Sequence, residues 1–406
     1  MIADCRLPIS DWKTVTLGDV AEFVRGINFK PEDVVPTGTP GSVACMRTKN
    51  VQTELDLSDV WSVGEQFVRR EDQFLQVGDV LVSSANSWNL VGKCCWIPEL
   101  PGRASFGGFV SVLRPHRTKV EPRFLYRWFS SDRIQTTLRS FGQQTTNISN
   151  LNTDRCLKLP LPLPPLAEQR RIAEVLDKAE ALRAKRRAAL AELDSLTQSI
   201  FLDLFGDPLK NTKHIKTAKL GSLCVRVTDG THQPPKWSTD GHPFLFVSNI
   251  VTGEITFDTE KFISEETHAE LTRRCPIELG DVLYSTVGSY GVPAIVRSER
   301  KFAFQRHIAH LKPDRTLLDS QFLAAMLASP PLKRQADRAA KGVAQKTVNL
   351  SEIREFVVFQ PPLTLQREFA RRVGVVEKLK TAQRASLAEL DALFATLQHR
   401  AFQGEL

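Results

Sequence analysis

Seven cysteines, a pair of histidines and two matched aspartates are the residues with chemistry to offer here, and spacing decides what that chemistry is. The cysteines (Cys5, Cys45, Cys94, Cys95, Cys156, Cys224 and Cys275) are odd in number and contain no Cys-x-x-Cys pair. They read as reduced, buried thiols, since the ligand spacing of zinc sites is missing. His307 and His310 sit three apart in a strand-like stretch. Their side chains then face opposite ways, which suits a structural role better than metal ligation. Asp79 and Asp281 each follow a glycine ahead of a strand, a pattern of turns more than of catalytic carboxylates. The P-loop run ending Gly-Lys-Ser/Thr is absent, and so is a Gly-x-Gly-x-x-Gly after a strand. Gln233-Pro234-Pro235-Lys236 is the nearest approach to the Asn/Asp-Pro-Pro-aromatic loop of amino-methyltransferases, and it lacks both ends of that motif. The chain reads as a protein without a catalytic centre, metal or cofactor of its own.

What must position any functional residue is a duplicated framework. Pro164-Pro165-Leu166-x-x-Gln169-Arg170 returns as Pro361-Pro362-Leu363-x-x-Gln366-Arg367, and Leu190-Ala191-Glu192-Leu193-Asp194 returns as Leu387-Ala388-Glu389-Leu390-Asp391. Both pairs are offset by 197 residues, so no gap separates them. Upstream the halves echo each other more loosely. Leu17-Gly18 matches Leu220-Gly221, Asn50-Val51 resembles Asn249-Ile250, and Gly78-Asp79-Val80-Leu81 matches Gly280-Asp281-Val282-Leu283. Gln143-x-Thr145-x-Asn147 resembles Gln345-x-Thr347-x-Asn349. The chain is therefore α+β: two mixed α/β domains in tandem at 1–160 and 207–358, each followed by a long helix within 161–206 and 359–406.

The helices have the clearest local signal. After Pro164-Pro165, which suit a helix start, apolar residues recur in heptads. One seam reads Ile172, Val175, Ala179, Leu182, Ala189, Leu193, Leu196 and Ile200; the other reads Phe369, Val376, Leu379, Leu390, Leu393 and Leu397. This spacing predicts coiled-coil packing over close to 40 residues, ~60 Å at ~1.5 Å per residue. Arg186 and Gln383 hold the same inward position in the two copies and interrupt each seam, as a register-fixing polar residue would, or as a drifting helix face would.

Composition adds a direction. The formal charge is +8, and the segments 164–206 and 361–406 carry 14 Lys/Arg against 12 Asp/Glu, so +6 lies on the rest of the chain. That is where a phosphate-binding surface belongs. The N-terminus has no apolar segment of signal-peptide type, and no run approaches the ~20 apolar residues that span a bilayer. The sequence reads as that of a cytoplasmic protein without a membrane partner.

The run Leu163-Pro164-Pro165-Leu166-Ala167-Glu168-Gln169-Arg170 opening a long helix resembles the conserved region of specificity subunits of type I restriction–modification systems. Asp229-Gly230-Thr231-His232-Gln233-Pro234-Pro235, Gly241-His242-Pro243-Phe244-Leu245, Asn249-Ile250 and Gly280-Asp281-Val282-Leu283 follow in the order such proteins show. The first half departs from it, with Arg25-Gly26-Ile27-Asn28 in place of Asp-Gly-Thr-His, and the second repeat has Thr364-Leu365 where the first has Ala167-Glu168.

The resemblance implies a non-catalytic targeting subunit whose two globular halves are target recognition domains, each reading one half of a split, asymmetric sequence in double-stranded DNA. The paired antiparallel helices would hold the domains apart and dock two methyltransferase subunits, with restriction/translocase subunits joining the complex. S-adenosylmethionine, ATP and magnesium would belong to those partners. Lys and Arg would hold phosphates, while amide, hydroxyl and aromatic side chains on loops read bases. In the first half the candidates are Arg47, Lys49, Asn50, Ser84, Asn86, Trp88, Asn89, Gln144 and Thr145. In the second they are His232, Gln233, Lys236, Trp237, Asn249, Thr286, Ser289, Tyr290, Gln345 and Lys346. The partner and coiled-coil set is Ile172, Val175, Leu182, Arg186, Leu193, Leu196, Phe369, Val376, Leu379, Gln383, Leu390 and Leu393. Two rival readings are a stand-alone DNA-modifying enzyme and a coiled-coil adaptor with no DNA role.

Overall fold

The computed structural model describes residues 12–144, 148–342 and 345–406. Contacts divide the chain into two compact units, one made of 1–187 with 385–406 and the other of 188–384. Each unit thus takes a globular part, one end of the first long helix and the opposite end of the second.

Both globular parts are built on the same four-stranded antiparallel sheet. In the first unit the strand order is Ala21–Arg25, Val110–Pro115, Val80–Ser83, Cys94–Trp96; in the second it is Cys224–Asp229, Ile308–Pro313, Val282–Ser285, Pro293–Ile295. The registers correspond, with Val80 opposite Leu113 and Val282 opposite Leu311. The Val80–Ser83 and Val282–Ser285 strands are buried at every position, because helices cover one face and a smaller sheet covers the other. The covering helices are Pro122–Phe129 and Ser320–Leu327. Each smaller sheet contains a parallel pair, Ala44 beside Ala104 and Phe244 beside Ala303.

Asp79 and Asp281 prove to be turn residues. Asp79 Oδ2 accepts from Gln76 N at 2.8 Å, and Asp281 Oδ2 accepts from Glu278 N at 2.9 Å, so each carboxylate closes the turn that feeds the buried strand. A cation on the neighbouring strand pairs with each, Arg114 at 2.7 Å and Lys312 at 3.3 Å. The glycines ahead of them, Gly78 and Gly280, have φ of 91° and 84°, a left-handed geometry that other residues adopt only with strain.

The long helices run Leu166–Phe205 and Leu363–Ala401. Within the first unit, Arg183 meets Asp391 at 2.6 Å and Arg171 donates to Leu406 O, just past the end of the second helix, at 2.9 Å. Within the second unit, Asp203 meets Arg372 at 3.2 Å and Asp194 meets Lys380 at 2.8 Å. Rising numbers on one helix meet falling numbers on the other, so in each unit the two segments pack antiparallel. Phe201, Phe205, Phe322 and Phe369 cluster, mostly tilted or edge-to-face, at centroid distances of 4.8–6.4 Å and tie the second unit's helix pair to its globular part.

The seam lies in a different phase from the one the leucines suggest. Positions 172, 176, 179, 183, 186, 190, 193, 197 and 200 are buried or half-buried, as are 369, 373, 376, 380, 383, 387, 390, 394, 397 and 401. Both sets step alternately by four and three, which is the heptad period. Ile172, Leu193, Phe369, Val376 and Leu390 belong to this seam and Val175 is half-buried, but Leu182, Leu196, Leu379 and Leu393 are 53%, 44%, 48% and 50% exposed. Those four are corrections to the sequence-based seam. The inward neighbours are Arg183, Thr197, Lys380 and Phe394, and the polar ones are held there by partners. Arg183 lies 4.4 Å from the Phe394 ring while bonding Asp391, and Lys380 bonds Asp194 and Glu377. Arg186 and Gln383 do sit at inward, half-buried positions.

Candidate functional site

In both units the structure brings together loops that are far apart in sequence. In the first unit Ala85–Asn86 pairs with Ser149–Leu151, which pairs with Gly142–Gln144, so the Ser84–Asn89 loop sits beside that hairpin. In the second unit Val287 bridges Thr347, Gly288 N donates to Lys346 O at 3.2 Å, and Val348 N donates to Thr286 O at 2.9 Å. Ser285–Tyr290 therefore sits beside Gln345–Thr347. The same pair of segments converges just past the end of the same interior strand, at Ser83 and at Ser285, in each four-stranded sheet.

The candidates on these loops divide by burial. Trp88 (53% exposed) and Asn89 are free to meet a ligand, and Ser289, Gln345 and Lys346 are exposed in the matching place. Asn86 is half-buried and donates to Ser83 Oγ at 3.0 Å, while Ser84 is half-buried beside it. Tyr290 donates its hydroxyl to Asp337 at 2.8 Å, and that bond raises the phenol's pKa; Lys333 lies 3.9 Å over its ring. Thr286 is 4% exposed and its backbone is fixed on both sides, so its side chain has no surface for DNA. The Gln144 side chain and Thr145 lie outside the described residues.

Asn50 and Asn249 are also corrections. Both are interior, at 1% and 4% exposure. Asn50 accepts from Arg47 N at 2.7 Å and donates to the carbonyls of Asp56 and Asp59; Asn249 accepts from Phe246 N at 2.9 Å and donates to the carbonyl of Asp258 at 2.8 Å. Each amide closes a 3-10 turn and staples the loop behind it. Arg47 shares that work. It lies 3.8 Å over Trp61 and pairs with Asp59 at 3.2 Å. Lys49 also bonds Asp59, a contact that holds this carboxyl below its usual range.

A second matched feature is a glycine pressed against a neighbouring strand. A Cβ at Gly26 would lie 2.3 Å from Gly107 O, and one at Gly230 would lie 2.0 Å from Phe304 O. Ile27 and Thr231 then make parallel bridges to Gly107 and Gln305. Arg25-Gly26-Ile27-Asn28 and Asp229-Gly230-Thr231-His232 are thus the same structural element, although their side chains differ. Beside the second copy, His232 bonds Asp229 at 3.0 Å, and Gln233 and Lys236 are exposed. Trp237, 45% exposed, stands edge-on to Phe244 at 5.2 Å with Lys261 Nζ 5.5 Å from its ring.

One group of metal-ligating types assembles among the described residues. His242, Glu265 and His268 bring ligand atoms within 4.8 Å of one another. Glu265 is already bonded by Lys301 and by His242, both at 2.6 Å, and those two bonds draw its pKa down to about 2. The ammonium supplies the positive charge that a cation would bring, and the cluster is an ion-pair network as it stands.

Two functional side chains were not singled out from sequence: the glutamines of the repeated motif. Gln169, 1% exposed, accepts from Glu121 N at 2.7 Å and donates to Pro164 O at 2.7 Å. Gln366, fully buried, accepts from Asp319 N at 2.9 Å and donates to Pro361 O at 2.8 Å. Each clamps the start of a long helix to the start of the short covering helix. Their recurrence at an offset of 197 was the available signal.

The family profile described as "Type I restriction modification DNA specificity domain" matches residues 9–192. The chain is 24% identical to the type I restriction enzyme EcoKI specificity subunit of Escherichia coli K12, over 97% of this chain and 89% of that one. It is 29% identical to the EcoBI specificity subunit of Escherichia coli, over 97% and 86% of the two chains. In fold it is similar to the crystal structure of a type I restriction–modification S subunit from M. genitalium, with a TM-score of 0.58 at 15% identity, covering 99% of this chain and 98% of that one. A chain from a structure of type I restriction–modification complex assembly gives a TM-score of 0.54 at 19% identity, covering 97% and 98%.

Proposed function

We infer that this chain, which belongs to the specificity subunits of type I restriction–modification systems, is the non-catalytic DNA-targeting subunit of such a complex and reads a bipartite target with one globular part per half-site. The observation that carries this is the duplicated loop convergence: each unit offers its own exposed set past the end of the same strand, on its own core. Two copies of one reading surface suit two half-sites, and their differing side chains suit an asymmetric sequence.

The helices serve partners. Leu182 matches Leu379 and Leu196 matches Leu393 at the repeat offset, and all four are exposed. An apolar residue kept outward at matched positions fits a contact made twice, one methyltransferase subunit per copy. S-adenosylmethionine, ATP and magnesium belong, on this reading, to the partner subunits.

The test is methylome sequencing of a host carrying the full system with altered loops. Gln233→Ala with Lys236→Ala is expected to change preference in one half-site only, and Asn89→Ala in the other only. A change in both half-sites from either variant overturns the assignment. A filter-binding titration across salt concentrations excludes the adaptor reading if log affinity falls with log salt, by ~0.9 for each phosphate held.

A further inference from the structure

Cys275, His310 and Asp281 form a hydrogen-bonded line that the reading of DNA does not use. Cys275 Sγ lies 3.4 Å from His310 Nδ1, and His310 Nε2 lies 2.7 Å from Asp281 Oδ2. His310 and Asp281 are interior, with side chains 2% and 0% exposed, whereas Cys275 is half-buried. The thiol lines a cavity of ≈ 390 Å³ together with Asp229, Thr231, Arg273, Phe304 and His310. A nucleophile next to a base that a third group orients is the arrangement that activates a thiol. Among the described residues the first unit has no counterpart. Its strand places Val112 where the second unit has His310.

We propose that Cys275 is an activated thiol and a modification site for peroxide, held for attack by His310 and Asp281. The thiolate sulfur attacks one oxygen of hydrogen peroxide, a sulfur–oxygen bond forms, and the oxygen–oxygen bond breaks. The hydroxide that leaves takes its proton from the His310 imidazolium and departs as water. Sulfur is oxidised to sulfenic acid by two electrons and the peroxide is reduced. Asp281 keeps the imidazolium oriented and compensates its charge.

The electrostatics of the line support this chemistry. Burial alone would push the Cys275 thiol up, but the hydrogen bond to His310 and the charges of His310, Lys312 and Arg226 outweigh it and hold the thiol below its ordinary value. Burial likewise opposes the charge on His310, and the bonds to Asp281 and Cys275 overcome it, so the imidazole's pKa is raised. Lys312 lies on the strand of His310, Arg226 on the adjoining strand, and Glu278 pairs with Lys312 at 3.1 Å. The other described thiols are shifted the opposite way. Burial raises Cys45, Cys95, Cys156 and Cys224 to about 12 and Cys94 further.

The experiment uses the full chain with Cys5→Ser, which removes the cysteine outside the described residues. Dilute hydrogen peroxide is followed by dimedone and peptide mass spectrometry, and alkylation by iodoacetamide is timed from pH 6 to 9. Cys275 is expected to carry the dimedone adduct at least tenfold faster than Cys224. Its alkylation rate should begin to fall at a lower pH than that of an ordinary thiol, which slows tenfold per pH unit below ~8.5. His310→Val, which copies the first unit, should restore the ordinary profile, and a circular dichroism melt reports whether that variant is folded. Labelling of Cys275 no faster than Cys224, or an ordinary alkylation profile in the unsubstituted His310 chain, overturns the proposal without needing the variant.

Discussion

A buried amide with both ends satisfied costs nothing extra to keep and a great deal to break, which makes Gln169 and Gln366 the residues to substitute first. Gln366→Ala leaves Asp319 N and Pro361 O without their partners and opens space behind them. Each unsatisfied group costs ~1–3 kcal/mol, so we expect destabilisation of roughly 2–4 kcal/mol, read as a lower urea midpoint for the second unit with the first unit unchanged. Gln169→Ala should do the reverse. Asp281 gives a prediction with a pH signature. Burial works against its charge, but the bonds from His310 and Glu278 N and the nearby Lys312 win, so its pKa is lowered in the folded state. The resulting stability is present above the unfolded carboxylate value of ~3.9 and is lost as pH falls through the lower folded value. His310 is raised, so its contribution is complete below ~6.5 and is lost as pH rises through the raised folded value. The penalty of Asp281→Asn, measured by denaturant titration, should therefore be largest between those limits and shrink toward both acid and alkali. A penalty independent of pH would assign Asp281 a purely geometric role in its turn.

At the scale of elements, much was legible and some was misleading for identifiable reasons. The repeat and both long helices follow from motif recurrence and periodicity, which are local properties of a chain. The seam was read one residue out at Leu182, Leu196, Leu379 and Leu393 because leucine looks like core wherever it falls near the period. Arg183 and Lys380 occupy the true positions only because Asp391 and Asp194 approach from the other helix, which no local window contains. Asn50 and Asn249 were mistaken for base readers on similar grounds. An amide in a loop has the donor and acceptor that adenine needs, and the same pair closes a turn. The Cys275–His310–Asp281 line was invisible because it depends on strand register. The seam has a direct test. Leu176→Ala should cost roughly 2–5 kcal/mol, as a buried leucine does, since Leu176 is fully buried. Leu182→Ala should fall within about 0.5 kcal/mol of neutral yet weaken capture of the proposed methyltransferase partner. Equal costs at the two positions would restore the seam suggested by the leucines.

For the whole molecule, the consequence lies in how the chain visits its two units. The second unit is one unbroken stretch, 188–384, running from helix end through globular part to helix start. The first contains the same parts in a different chain order, because 385–406 supplies its helix end and the globular part begins the sequence. Eleven residues, Gly206 to Lys216, carry the second unit from Phe205 to its first strand at Thr217. In the first unit the matching strand starts at Lys13 and the matching helix ends at Ala401. With Leu406 joined to Met1, five residues from Phe402 to Leu406 and twelve from Met1 to Trp12 would span that interval. Thr14, Phe402 and Gln403 line one cavity, so the span is short. A chain in which Leu406 is joined to Met1 and new ends are cut between Lys213 and His214 should therefore fold as this one does. The closing loop is longer than its counterpart, and loop entropy rises only slowly with length, by ~0.6 kcal/mol per doubling. The cut removes little, since both flanking residues are exposed and the bonds from Asn211 to Ile215 are local. We expect the rearranged chain to keep both unfolding midpoints within a few degrees and to keep the specificity of each half-site. If it lost the first unit's transition while retaining the second, the two units would not be interchangeable versions of one design, and the equivalence drawn from the repeat would fail.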